Sequence, residues 1–244
     1  MGFFDLFSSS PAKKVERAKK VMLNEHQQAQ IRQESLLSLV EIGTPEAVSA
    51  LIERLGVNFR DTIRNEQEKG WVHQFLVDQF KDVSETPLKD FIQTGENVSS
   101  AILALKELIS DEELTDFLIE TLHRYDPKDH RTIEVRLQLI DALDEQEGPV
   151  LEAVLPYVLD HDDQIRIKAI NLVEDRVKGV DGDHSDVIKT LVEAMTDPYA
   201  SGRISRAAAN ALIRLEVNLT DFEAEISDQL PDGYQINKGK LSGQ

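Results

Sequence analysis

Ile31-Arg32-Gln33-Glu34-Ser35-Leu36-Leu37-Ser38-Leu39-Val40-Glu41-Ile42-Gly43-Thr44-Pro45-Glu46-Ala47-Val48-Ser49-Ala50-Leu51-Ile52 reads as two helices with one turn between them. Proline is tolerated at the first helical position, because the N–H it lacks has no intrahelical partner there. Thr44-Pro45 therefore marks a start, and behind it Val48, Leu51, Ile52 and Leu55 fall at i, i+3, i+4 and i+7 on one helical face. Five further starts follow the same logic, at Thr86-Pro87, Ser110-Asp111, Gly148-Pro149, Ser185-Asp186 and Thr220-Asp221. Ser110 with Glu113 and Thr220 with Glu223 have capping-box spacing, in which each side chain can satisfy the other residue's backbone donor. The intervals between starts are uneven, from roughly 25 to roughly 40 residues, which suits a degenerate helical repeat.

The stripe recurs after later starts. Leu114, Phe117, Leu118 and Thr121 copy it, Leu151, Val154, Leu155 and Val158 copy it again, and Ile188, Leu191 and Met195 form a narrower version. A second amphipathic helix precedes the starts, most clearly over Val98–Ile109, Ile133–Leu143, Ile165–Val177 and Ile204–Leu215. No stretch alternates apolar and polar residues over a useful length, so strands are not expected. A single pair of this kind cannot bury its own stripe, whereas stacked neighbours form a continuous core.

These residues resemble a known repeat. An aliphatic-Arg start, a Gly-x-Pro-Glu-Ala turn and an apolar second helix are similar to the bacterial HEAT-like repeat related to phycobilisome lyase subunits. Ile165-Arg166-Ile167-Lys168-Ala169-Ile170-Asn171-Leu172-Val173 restates the first half, and Val135-Arg136 and Ser205-Arg206 open further copies. The second and third repeats depart from the pattern, with His73 and Ser99 at the arginine position. The resemblance implies an all-α fold, a right-handed α-solenoid of about six helix pairs over residues 28–227. Residues 1–27 would form an amphipathic, basic N-terminal cap and residues 228–244 a polar tail, expected to fray from Pro231 to Gln244. It also implies that Arg32, Arg136, Arg166 and Arg206 brace neighbouring repeats through carboxylates and carbonyls.

Composition narrows the function. The chain has 244 residues, no cysteine and a net charge of −18. The missing thiols exclude disulfides, iron–sulfur clusters and cysteine nucleophiles, and fit a reducing, cytoplasmic setting. The acidic balance argues against nucleic acid, whose phosphates need clustered Lys and Arg. Apolar runs are far shorter than the ~20 residues of a membrane span. Phe3, Phe4, Leu6 and Phe7, followed by Lys13, Lys14, Arg17, Lys19 and Lys20, nevertheless combine both halves of a weak membrane-surface signal within residues 1–24. The same phenylalanines could instead cover the end of a repeat core.

No residue pattern points to catalysis, so an enzyme is not expected, nor a cofactor or metal. The loop Asp181-Gly182-Asp183-His184-Ser185-Asp186 lacks the Gly and Glu of a calcium loop, with Asp186 and Val192 in their places. His123, Asp126, Asp129 and His130 surround Pro127 in what reads as a polar connector. Trp71 and Phe75, with Val72 and Phe80, read as core. Gly56–Gly70 is the longest gap between stripes and is expected to hold a short helix or a protruding interaction loop.

The expected function is a cytoplasmic, non-enzymatic scaffold whose protein partner carries a basic segment. On the second helices the residues between stripe members should face outward. Glu46, Glu53, Asp116, Glu120, Glu152, Tyr157 and Glu193 are the candidate partner-binding set, with Tyr157 as an exposed aromatic anchor among carboxylates. The alternative implied by the resemblance is a phycobilin lyase-type subunit acting with a partner lyase subunit.

Overall fold

The computed structural model describes residues 10–243. Among these the chain is helical almost throughout, and it divides into two compact units, Met1–Leu114 and Thr115–Gln244.

The first unit holds α1 (Pro11–Met22), α2 (Ala29–Ile42), α3 (Pro45–Leu55), α4 (Thr62–Gln74), α5 (Lys81–Thr94), α6 (Ser99–Lys106) and the start of α7 (Asp111–Leu122). The turn between α2 and α3 forms as its residues dictate. Gly43 ends α2 with φ +60°, a left-handed value that L side chains rarely adopt. Thr44 Oγ1 then accepts from Ala47 N at 3.4 Å to cap α3. Leu36, Leu39, Val48, Leu51, Ile52 and Leu55 meet in the core with Val15, Ala18 and Met22 of α1. The basic side of α1, with Lys13, Lys14, Arg17 and Lys20, faces solvent. The four apolar residues of the N-terminal signal, Phe3, Phe4, Leu6 and Phe7, lie outside the described residues.

One expectation fails in this unit and another resolves to one of its alternatives. The Gly56–Gly70 gap holds a helix and not a protruding loop, and that helix, α4, runs on past Gly70. Thr86-Pro87 does not start a helix, because Pro87 lies within α5. The backbone runs from α4 through a π-helical turn, Phe75–Gln79, and α5 opens at Lys81. Wide turns of this kind displace backbone carbonyls from their partners. Buried Ser84 compensates, its Oγ donating to Leu76 O at 3.2 Å and to Phe80 O at 2.8 Å.

The second unit continues with α8 (Ile133–Asp144), α9 (Val150–Val154), a 3₁₀ segment Leu155–Leu159, α10 (Asp163–Val177), α11 (Ser185–Thr196), α12 (Gly202–Arg214) and α13 (Glu223–Ile226). Helix α10 packs against α8, the 3₁₀ segment and α12, and α11 packs against the 3₁₀ segment and α12. Their shared core includes Leu139, Ile140, Val154, Val158, Ile165, Leu172, Leu191, Ala208 and Leu212.

The C-terminal tail is ordered. Strands β1 (Tyr234–Asn237) and β2 (Lys240–Gly243) pair antiparallel, with Asn237 opposite Lys240. Lys238 (φ 52°) and Gly239 (φ 73°) make the two-residue turn, and two consecutive positive φ values give it a twist that matches the right-handed twist of the strands. Gly239 is required there, since a Cβ would lie 2.3 Å from both Asn218 Oδ1 and Thr220 Oγ1. Its N–H donates to Glu223 Oε2 at 2.7 Å, and its carbonyl accepts from Leu219 N at 2.8 Å. Glu223 is thus used by the hairpin, and the expected capping box with Thr220 does not form.

Candidate functional site

The six candidate carboxylates separate into two groups. Glu46 is exposed and turns back on its own helix start; hydrogen bonds from its backbone N–H and from Thr44 hold its carboxyl below the ordinary range. Glu53 accepts from Lys19 Nζ at 2.6 Å, and Glu120 from Arg124 at 3.0 Å. Asp116, Glu152 and Glu193 are exposed on α7, α9 and α11, and have no hydrogen-bond or ion-pair partner among the described residues. All three belong to the second unit.

Tyr157 is not an exposed anchor. It is 2% exposed, and its hydroxyl donates to Leu122 O at 2.7 Å and to Tyr125 O at 3.0 Å. Burial pushes its phenol up to about 12. Counting at α-helical pitch from Leu151 turns this side chain outward. In the observed 3₁₀ segment, residues three apart eclipse one another, so Tyr157 follows buried Val154 into the core. Tyr157 therefore fastens the end of α7 to the segment after α9, and that segment packs on α11. The helices bearing the three unpartnered carboxylates are linked in this way.

Buried arginines set the frames behind these surfaces. Arg32 donates to Glu68 through Nε at 3.0 Å and NH2 at 2.7 Å. Arg54, fully buried, donates to the same carboxylate at 3.1 Å and to Asn65 Oδ1 at 2.9 Å. Both guanidinium groups stand over the Phe59 ring, at 4.8 and 4.1 Å. Burial lowers the Arg54 pKa, and Glu68 opposes that shift.

In the second unit Arg136 faces Asp160, with Nε and Oδ2 3.1 Å apart, both side chains fully buried. The same guanidinium donates to Asp129 O and Thr132 Oγ1, each at 2.6 Å, and to Asp126 O at 3.1 Å. Burial raises the Asp160 carboxyl, while the Asp162 N–H and Arg136 pull it down. Arg166 pairs with Asp197 at 2.8 Å, and Arg214 pairs with Glu174. Arg206, expected to act like the others, is exposed and has no partner among the described residues. His73 meets Glu107 at 2.8 Å. Spacing made Arg32, Arg136 and Arg166 visible, but nothing in the sequence marked Glu68, Asp160 or Asp197 as their acids.

The loop groupings are occupied by local bonds. Asp126 Oδ1 accepts from Lys128 N at 2.8 Å. Asp129 binds Arg131, whose hydrogen bonds lower its carboxyl to about 2. His130 packs edge-on against His161, ring centroids 3.6 Å apart. Asp183 Oδ1 takes Ser185 N at 2.9 Å, at the start of α11. Among the described residues no three His, Asp or Glu side chains converge as metal ligands, and no helix is long and apolar enough to cross a membrane. A cavity of about 670 Å³ opens between the ends of α10 and α12 and the start of α11; Val177, Val187, Ile188 and Leu215 contribute apolar wall, and Lys178 and Glu216 also line it.

Compared with protein-family models, with curated proteins and with solved structures, the chain matches none.

Proposed function

We propose that the protein is a non-enzymatic interaction scaffold, a HEAT-like solenoid that binds a basic segment of a protein partner through the acidic face of its second unit. The observation that supports this reading is the contrast among the six carboxylates. Glu46, Glu53 and Glu120 serve their own unit, whereas Asp116, Glu152 and Glu193 are exposed without a partner. Desolvated buried ion pairs fix the helices behind them, so the charges are presented by a preorganised frame. Unpaired like charge raises the potential at the surface that carries it and speeds association with a basic partner.

The test is capture of partners from the native cell on the tagged chain, at rising salt, beside a variant with Asp116, Glu152 and Glu193 changed to Lys. Partners held by this face should leave the wild type as salt screens the charges, and should be missing from the variant. Equal recovery on a variant of unchanged helicity would remove the acidic face from the function.

A further inference from the structure

Helix α4 has its polarity reversed. Its inward side buries Asn65, Glu68 and Lys69 with Val72, while its outward side carries Ile63, Gln67, Gly70, Trp71 and Gln74. Ile63 is 71% exposed and Trp71, the only tryptophan of the chain, is 37% exposed. Trp71 was expected in the core. Its indole N–H has no acceptor among the described residues. Among the described residues nothing lies within 4 Å of where a Cβ on Gly70 would stand, so another backbone can come close there.

We propose that this face joins two copies of the chain about a two-fold axis near Trp71. A symmetric interface must be complementary to itself, and a chain of net charge −18 repels its own copy over most of its surface. The outward strip of α4 itself, Ile63, Gln67, Gly70, Trp71 and Gln74, contains no acid to oppose its copy. Glu66, beside the strip, accepts from Asn65 Nδ2 at 2.9 Å, and Asp78 accepts from Gln74 Nε2 at 2.8 Å. Arg64 and Asp78 stand equally far along the chain on either side of Trp71, and Gln67 and Gln74 are placed nearly as evenly. Each charged residue is hydrogen-bonded to one of those glutamines, Arg64 NH1 donating to Gln67 Oε1 at 3.3 Å. Antiparallel α4 helices therefore bring Arg64 of one copy to the turn that carries Asp78 of the other, twice per dimer. Trp71 of each copy then covers the open Gly70 of the other, an aromatic anchor at the centre of a small interface.

The experiment is sedimentation velocity with Trp emission across the micromolar range. Trp71 being the only tryptophan, its emission reports this face alone. The wild type should dimerise, with a blue shift that tracks dimer formation. Gly70→Arg should weaken the dimer about tenfold or more. Arg64→Asp should weaken it several-fold, and adding Asp78→Arg should restore it, with helicity unchanged throughout because these side chains are exposed. A wild type that stays monomeric would overturn the proposal, as would a dimer that leaves Trp71 emission unchanged or that tolerates Gly70→Arg. Neither result bears on the acidic face of the second unit, which partner capture tests separately.

Discussion

The two units solve the same problem with opposite charge arrangements. In the first, one carboxylate serves two buried arginines: Arg32 and Arg54 both depend on Glu68. In the second, each buried arginine has its own acid, and Arg136 has four further oxygen acceptors besides Asp160. Buried charges cost several kcal/mol to desolvate and repay it only when their bonds are complete. The first unit therefore concentrates its risk in one side chain, and the second distributes it.

That contrast sets the largest expected effect. Glu68→Gln leaves two buried guanidinium groups without a counter-charge and should cost about 3–5 kcal/mol. Asp160→Asn should cost less, because it removes the counter-charge of one buried guanidinium instead of two, and Arg136, like Arg32 and Arg54, keeps its neutral oxygen acceptors. Urea unfolding followed by circular dichroism measures both, and the reverse ranking would end the comparison as drawn. Gly239→Ala comes next. The strained φ and the close oxygens of Asn218 and Thr220 should cost about 2 kcal/mol, visible as faster amide exchange in the hairpin with the first unit unaffected.

Tyr157→Phe should cost about 1–2 kcal/mol through the loss of a buried donor, with an alkaline signature. Burial holds the phenol near 12 against an ordinary 10, so between those values the folded chain keeps a proton the unfolded chain has released. Stability from this group is complete below pH 10 and is lost as pH rises through 12. Wild type should lose more stability than Tyr157→Phe over that interval; parallel slopes would show that the hydroxyl is not buried. The smallest effect belongs to the surface. Changing Asp116, Glu152 and Glu193 to Lys should alter stability by less than about 0.5 kcal/mol.

Much of the helical content was legible because caps and apolar stripes act locally. Thr44, Gly43 and Ser110 behave as their chemistry requires, with Glu113 Oε2 accepting from Ser110 N at 3.2 Å. What escaped has physical causes. Helix α4 buries Asn65, Glu68 and Lys69 instead of an apolar stripe, so a search for hydrophobic period passes over it as a gap. The hairpin has four-residue strands and a Lys-Gly turn, too short for alternation to register and without the Asn-Gly signal. Tyr157 was misplaced by a change of helical pitch, which residue spacing does not reveal. The carboxylates of the acidic set were readable as exposed; the Glu120–Arg124 pair, four residues apart, was also within reach of spacing, whereas Lys19 is brought to Glu53 only by the fold.

The central claim is that function resides in the unpartnered acids of the second unit and not in acidity at large. Two variants decide it side by side in partner capture, one with Asp116, Glu152 and Glu193 changed to Lys, the other with Glu46 and Glu53 changed to Lys. The account predicts that the first loses the salt-sensitive partners while the second retains them. Full recovery on the first, or loss confined to the second, would contradict it.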